Sequence, residues 1–314
     1  MYFTKNIIII ILFSFSICQE DIAPDLYGDQ LFNYLFKNYK TNSVLSYDKA
    51  RDTLYLRIDR FEGKVKGIYS EYSVNLPNGV DPSSHIYNNG SGLDCEHVWP
   101  QSMYEGSAPM KSDMHHLRPA KSNVNSARSN KPYGEIDDSQ TDHWYWLNSD
   151  LTNIPNSNIN QYSESTSGLF EPREDKKGDL ARSIFYFFTM YSNVANQQFF
   201  DVQKDTLYSW HILDPPTVDE INRTWAIAQY QSNKPNPYIL DTSLVGRVFF
   251  NNNSLIGDVN GDFIINVLDV VMLVNHVLGN TNLNSSQIIL ADLNDDSIVN
   301  VIDIVILMNL ILGE

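Results

Sequence analysis

The chain has 314 residues, with 22 Lys and Arg against 38 Asp and Glu, a formal net charge of −16 and a pI near 4.7. Its 42% hydrophobic and 12% aromatic content supports a packed core with room for a second small domain and excludes disorder for most of the length. The acidic total argues against nucleic acid held through an overall basic surface, and two cysteines, Cys18 and Cys95, build neither a disulfide framework nor a four-cysteine zinc site.

Residues 1–18 read as a secretory signal. Lys5 precedes an apolar run from Ile7 to Phe15 that is too short to span a bilayer, and Ser16-Ile17-Cys18 leads into Gln19. Cleavage is expected after Cys18, since bulky Ile17 fits a lipoprotein signal poorly. The mature chain is then secreted and soluble, with Cys95 as its single thiol. Residues 25–39 and 47–59 carry apolar side chains at helical spacing. Residues 64–74 alternate as a strand does, and 75–92 form a polar loop containing Gly, Pro and Ser. Residues 148–168, rich in Asn and Ser, read as a long surface loop, whereas 178–191 and 218–231 read as core helices. Residues 251–256 are a linker between a domain at 19–250 and a tail at 257–314.

The densest chemistry lies between residues 94 and 135. The chain runs Asp94-Cys95-Glu96-His97-Val98-Trp99-Pro100-Gln101-Ser102, later Ser112-Asp113-Met114-His115-His116-Leu117-Arg118-Pro119, and then Asn123-Val124-Asn125-Ser126-Ala127-Arg128-Ser129-Asn130. Phosphodiester hydrolysis needs a base to activate water, a cation at the non-bridging and leaving oxygens, and positive groups on the phosphate. His97 accepts a proton near neutral pH, Glu96 and Asn125 offer oxygen ligands, and Arg118 and Arg128 can hold phosphate. Residues 111–131 carry Lys111, Arg118, Lys121, Arg128 and Lys131 against Asp113 alone, a local +4. Neighbours on a regular strand point to opposite faces, so Glu96 and His97 reach one phosphate only through a strand end or a bulge, and such an irregularity is expected. At most one of His115 and His116 faces the site, and His115 is expected to hold the hairpin by hydrogen bonds. Cys95 is expected to be a buried, inert thiol, and the aromatic residues of 142–146 to be core instead of a base-stacking platform.

These motifs resemble the bacterial endonuclease I family of secreted nonspecific nucleases, whose core is the ββα-metal (His-Me finger) unit. The likeness rests on Glu96 to Ser102, on Asp113 to Pro119 as the second strand, and on Asn125, Arg128 and Asn130 in the helix that follows. Phe170-Glu171-Pro172, Gly178-Asp179, Trp210-His211, Asn222-Arg223 and residues 231–241 extend it over roughly 25–250. The resemblance implies that His97 is the general base and that Glu96 and Asn125 bind one Mg2+ or similar divalent ion. It further implies that Arg128 and Asn130 position the substrate backbone. Some family members take a transition-state cation from a longer insertion between the strands; the interval here is short and holds only Lys111, so Lys111 contacts substrate and Arg128 or Arg118 substitutes. The implied activity is endonucleolytic cleavage of DNA, with RNA left open, at little sequence preference.

The tail holds seven Asp and one Glu and no Lys or Arg, so half of the net charge sits in residues 257–314. Internal repetition explains the concentration. Asp258, Asn260, Asp262, Asn266 and Asp269 recur as Asp292, Asn294, Asp296, Asn300 and Asp303 at loop positions 1, 3, 5, 9 and 12. With the carbonyls of Ile264 and Ile298 at position 7, each loop offers the oxygens that Ca2+ requires. Helices are expected over 267–278 and 301–312. Because no helix of ordinary length precedes the first loop, each loop ends in Asp and each runs into an apolar helix, the tail resembles a type I dockerin binding two Ca2+. That resemblance implies a cohesin-type scaffold or surface protein as partner, met near Val267-Leu268 and Val301-Ile302. The fold class implied is α+β: a mainly helical nuclease domain with a ββα-metal core, followed by a small all-α dockerin. A contrasting reading, a noncatalytic calcium-binding surface protein with an inactive nuclease-like domain, is disfavoured by the complete set Glu96, His97 and Asn125.

Overall fold

The computed structural model of the chain describes residues 20–104, 106–250, 256–261, 265–294 and 296–312. The expected signal segment, most of the linker, and the loop positions Asp262 and Ile264 lie outside the described residues. The chain is α+β, helices with small antiparallel sheets. Helix α1 (Gly28–Tyr39) buries Leu31 and Leu35 on one face. Helix α2 (Tyr47–Thr53) runs into a wider turn at Leu54–Ile58, so the expected continuous helix over 47–59 loosens at its end.

Three expectations from sequence are corrected here. Residues 64–74 are not one strand: β1 (Arg60–Phe61), β2 (Lys64–Lys66) and β3 (Ser73–Asn75) make a three-stranded meander. Glu71, at φ 58, turns the chain between β2 and β3 as Gly67 N–H donates to Tyr72 O at 2.8 Å. Residues 75–92 contain helix α3 (Pro82–Tyr87), because Asp81 accepts from Ser84 N at 2.8 Å and Pro82 sits in the first turn. Residues 148–168 are not one long loop: Ser149–Leu151 and Ser163–Ser165 are strands of a four-stranded sheet.

Strands β4 (Leu93–His97) and β5 (Leu117–Lys121) form a two-stranded hairpin, and helix α4 (Ser122–Arg128) follows β5 without a break. The second sheet, in the order β7-β6-β8-β9, comprises β6 (His143–Trp146), β7 (Ser149–Leu151), β8 (Ser163–Ser165) and β9 (Phe170–Glu171). Ser163 does not exclude itself from a buried strand, because its hydroxyl donates to Tyr69 O at 2.7 Å. Trp144 and Tyr145 are buried, as expected of core residues.

Helix α5 (Lys177–Tyr191) is buried at every position: Ile184–Tyr191 is apolar or aromatic but for Thr189, and the charges of the first half, Lys177, Asp179 and Arg182, are ion-paired. Around it lie α6 (Gln197–Asp201), α7 (Lys204–Leu213), α8 (Val218–Ala228), α9 (Pro237–Leu240) and α10 (Ser243–Phe249). Gly178 lets Asp214 approach closely, since a Cβ there would meet the Asp214 carbonyl oxygen at 1.9 Å. Inside this layer Arg182 is fully buried, its guanidinium bridging to Glu220 at 2.6 Å.

Two apolar cores flank the β4–β5 hairpin. One, built on α5 and its neighbours, takes up Val98, Ala120 and Val124; the other, built on Ala50, Leu54 and Tyr55, takes up Leu93, Cys95 and Leu117. A third, separate core unites α11 (Val267–Val277), α12 (Ser285–Ala291) and α13 (Val301–Leu312) through Val259, Leu273, Ala291 and Leu307. No helix among the described residues is long and apolar enough to cross a membrane.

Candidate active site

The hairpin pairs in unbroken register from Leu93 opposite Lys121 to His97 opposite Leu117, with Glu96 opposite Arg118. No bulge interrupts the pairing; of the two irregularities expected, the fold provides the strand end, since His97 is the last residue of β4. The ladder continues past the strand end, where Val98 N–H donates to His116 O at 2.9 Å. Both faces of the hairpin rest on packed cores, so nothing forces a bulge. His97 faces the ring of Tyr47, centroids 5.4 Å apart, and Cys95 lies on the same side against Tyr47 and Tyr55. Glu96 points the other way.

On that other face Glu96 Oε1 accepts from the Tyr69 hydroxyl at 2.7 Å and lies 3.4 Å from Arg128 Nε. The Tyr69 and Tyr133 hydroxyls are 2.6 Å apart, and the Arg128 guanidinium lies over the Tyr133 ring at 4.7 Å. Burial pushes the Glu96 carboxyl above its ordinary value, and Arg128 and Tyr69 only partly offset this. Asn125 is half-buried on α4, one turn before Arg128, hence on the adjoining helix surface. Its side chain makes no hydrogen bond to another described residue. Glu96 and Asn125 thus both border Arg128, while His97 stands across the strand.

The tautomer of His97 follows from its partners. Nε2 is 3.1 Å from Lys111 O, a group that only accepts, so Nε2 carries the proton. Nδ1 is 3.2 Å from Gln101 Nε2, an amide that donates, so Nδ1 holds the lone pair. Burial, with His116 nearby, holds the imidazole well below its usual range, at about 3. Gln101 is exposed, so one surface side chain covers the basic nitrogen.

The structure places the two expected phosphate cations, Arg128 and Arg118, inside the fold. Arg128 is 0% exposed and donates to Val98 O at 2.6 Å and Ser129 O at 3.1 Å. Burial opposes its charge, but Tyr133, Glu96 and Tyr69 together keep its pKa above the ordinary value. Arg118 is 5% exposed, lying 3.9 Å from Asp179. Arg118 lies beneath helix α5 beside Asp179, and Arg128 is enclosed by Glu96, Val98 O and the Tyr133 ring. Lys111 remains half-buried with Nζ 4.9 Å from the Tyr47 ring centroid, and Asn130 is exposed beyond the end of α4.

His115 does not hold the hairpin together. Its Nε2 bonds Lys234 O at 2.9 Å, tying the turn before β5 to the segment after α8. Beside it, buried Asp113 accepts from the Tyr186, Tyr191 and Gln231 side chains at 2.9, 2.7 and 2.8 Å. His116 is the histidine next to His97, ring centroids 5.5 Å apart. Burial raises the Cys95 thiol to about 12, consistent with an inert group.

Tyr47 and the role of Gln101 were not evident from sequence. Gln101 falls four residues after His97 inside the motif, a local signal; Tyr47 lies fifty residues away and carries none.

Oxygen donors from a carboxylate and an amide suit a hard divalent ion that keeps most of its waters, so Glu96 and Asn125 fit the expected magnesium-type ligand set. In the tail, Asp303 Oδ1 and Oδ2 accept from Leu293 N and Asn300 N at 2.9 and 2.8 Å. Asp292 Oδ2 accepts from Ser297 N, and Asp296 Oδ1 from Ile298 N, each at 2.8 Å. Asn294 Nδ2 donates to Asp296 Oδ2 at 2.8 Å, and Asn300 Nδ2 to Ile298 O at 3.1 Å. In the first repeat Asp258 accepts from Gly261 N at 2.8 Å, and buried Asp269 from Asn260 N and Asn266 N at 3.0 and 2.9 Å. Among the described residues no three His, Cys, Asp or Glu side chains converge as a ready metal cage, because these carboxylates hold loop backbone N–H groups instead. The donor chemistry, Asp, Asn and carbonyl oxygen in a twelve-residue order, still fits calcium.

Comparison with known proteins agrees with this anatomy. The family model for endonuclease I matches residues 27–243, and that for the dockerin type I domain matches residues 256–312. The extracellular ribonuclease of Bacillus subtilis (strain 168) is 30% identical over 231 residues, covering 68% of this chain and 71% of that protein. The extracellular ribonuclease of Bacillus amyloliquefaciens is 31% identical over 170 residues, 48% of this chain and 53% of that protein. Endonuclease-1 of Buchnera aphidicola is 25% identical over 130 residues, 41% and 45% of the two chains.

Proposed function

The chain belongs to the endonuclease I family, a nuclease carrying a type I dockerin domain, and from that premise we propose a secreted, divalent-metal-dependent endonuclease that cleaves DNA and RNA with little sequence preference. The observation that carries the reading is His97, fixed by Lys111 O so that its lone pair sits on Nδ1. Displacing the exposed Gln101 amide opens Nδ1 to a water, whose proton it accepts as the water attacks phosphorus. The Lys111 carbonyl holds the ring in place by accepting from Nε2–H, a hydrogen bond that strengthens as positive charge develops on the ring. Glu96 and Asn125 would hold the divalent ion, which when bound supplies positive charge at the non-bridging and leaving oxygens. Glu96 is oriented for this by Tyr69 and Arg128, which act as positioning residues. Lys111 contacts the substrate phosphate from the His97 side. An open cleft of about 490 Å3, lined by Ala127, Lys131, His143 and Tyr145 among others, adjoins the end of α4 and supports passage of the substrate strand past Asn130.

The relatives named ribonucleases favour RNA as one substrate. The dockerin binds two Ca2+ and docks a cohesin-type partner, placing the nuclease on a scaffold or surface outside the cell. The test is cleavage of plasmid, single-stranded DNA and RNA by purified protein with Mg2+, Mn2+ or Ca2+. His97→Gln should lower turnover by about 10²–10⁴-fold with folding retained. Equal activity of His97→Gln and parent would assign the base elsewhere.

A further inference from the structure

With Arg118 and Arg128 buried, the His97 face needs its positive charge from elsewhere, and the only cation so far placed there is Lys111. One more approaches the same ring. Arg51 Cζ lies 4.6 Å from the Tyr47 centroid, the ring that also meets Lys111 Nζ at 4.9 Å and the His97 ring at 5.4 Å. Arg51 and Tyr47 are four residues apart on α2, hence on one helix face. The helix is held rigidly against the hairpin, since Ala50 and Leu54 share a core with Cys95 and Leu117.

The Arg51 guanidinium is incompletely used. Its ion partner is Asp48 at 2.7 Å, whose side chain is 82% exposed, and a surface pair of this kind contributes only about 0–1 kcal/mol. Its Nε is buried without a hydrogen-bond partner among the described residues. A phosphate could therefore replace Asp48 at small cost, and the planar guanidinium would meet two of its oxygens together. Lys111 makes no ion pair among the described residues.

Resting on the nuclease reading above, we propose that Arg51, stacked on Tyr47 and paired with Lys111, forms the cationic clamp that holds the scissile phosphodiester against His97. Tyr47 acts as a positioning residue, its ring face fixing both cations. The charge withdrawn into the fold at Arg118 and Arg128 is supplied instead from a helix distant in sequence.

The test uses the full chain. His97→Ala serves as a non-cleaving parent, and its binding to a fluorescent single-stranded DNA oligonucleotide is measured across a salt series. Adding Arg51→Ala should reduce the slope of log affinity against log salt by about 0.7, the loss of one phosphate contact. In the otherwise unaltered enzyme Arg51→Ala should lower kcat/KM by about 10-fold or more, and Arg51→Lys should restore the slope but only part of the rate. Asp48→Asn, which frees Arg51, should bind as tightly as its parent or tighter. A merely structural Arg51 would leave the slope unchanged. Unchanged slope and unchanged kcat/KM in Arg51→Ala, or weaker binding in Asp48→Asn, overturn the clamp while the nuclease stands. Failure of the unaltered enzyme to cleave any nucleic acid with any of the metals overturns the nuclease reading itself.

Discussion

Replacing Arg128 by Met separates a structural guanidinium from one that touches substrate. In the fold this side chain is fully buried, ion-paired with Glu96 at 3.4 Å and donating to Val98 O at 2.6 Å. Methionine of similar length fills the volume but leaves the Glu96 carboxylate buried without its cation, and breaking one side of such a pair costs about 3–5 kcal/mol. The loss of the donor to Val98 O lies within the same substitution and is not simply additive. For a domain of about 150–250 residues each kcal/mol moves the melting point by about 2–4 °C, so a fall of about 6–20 °C is expected. Circular dichroism melts and urea titrations measure it, and binding of duplex DNA over a salt series in the His97→Ala background supplies the contrast. A phosphate-contacting Arg128 would instead lower the salt slope by about 0.9 with little thermal change. A melting point within about 2 °C of the parent together with a reduced slope would sink the structural assignment.

Replacing Asp258 and Asp292 together with Ala should abolish calcium-dependent ordering of the tail, read by circular dichroism with calcium and with EGTA, and should leave plasmid cleavage intact; parallel loss of cleavage would mean the two parts are coupled. Buried His115 and His211 are held to about 4 and about 3 by desolvation. The unfolded chain takes up these protons below about pH 6.5 and the folded chain only nearer those lower values, so their stabilising effect is complete above that pH and declines as the pH falls toward 3. His211→Gln should flatten the dependence of the urea midpoint on pH between 7 and 4.5 relative to the parent, and an unchanged dependence would show that His211 titrates normally. Cys95, raised by burial to about 12, should resist a thiol reagent at pH 8 in the native protein and react fully in denaturant; rapid native labelling would contradict its burial.

Sequence by itself determined the parts whose chemistry is local. The calcium-loop repeat is legible because its ligands lie within twelve residues of one another, and the helices after each loop follow from apolar spacing alone. The cluster from Glu96 to Asn130 is legible for the same reason, as is the burial of the aromatic run Ile184–Tyr191 in α5. Tertiary structure decided where the charges point. Arg118 and Arg128 look like phosphate ligands in the sequence because their buried surroundings form only in the fold: α5 brings Asp179 against Arg118, and the hairpin sets Glu96 against Arg128 beside Tyr133. The bulge expected between Glu96 and His97 is absent because β5 satisfies every ladder position and two separate cores support the opposite faces. Tyr47 reaches His97 only because Ala50 and Leu54 dock α2 onto Cys95 and Leu117. No periodicity or spacing encodes that contact, since it is made by packing between segments nearly fifty residues apart.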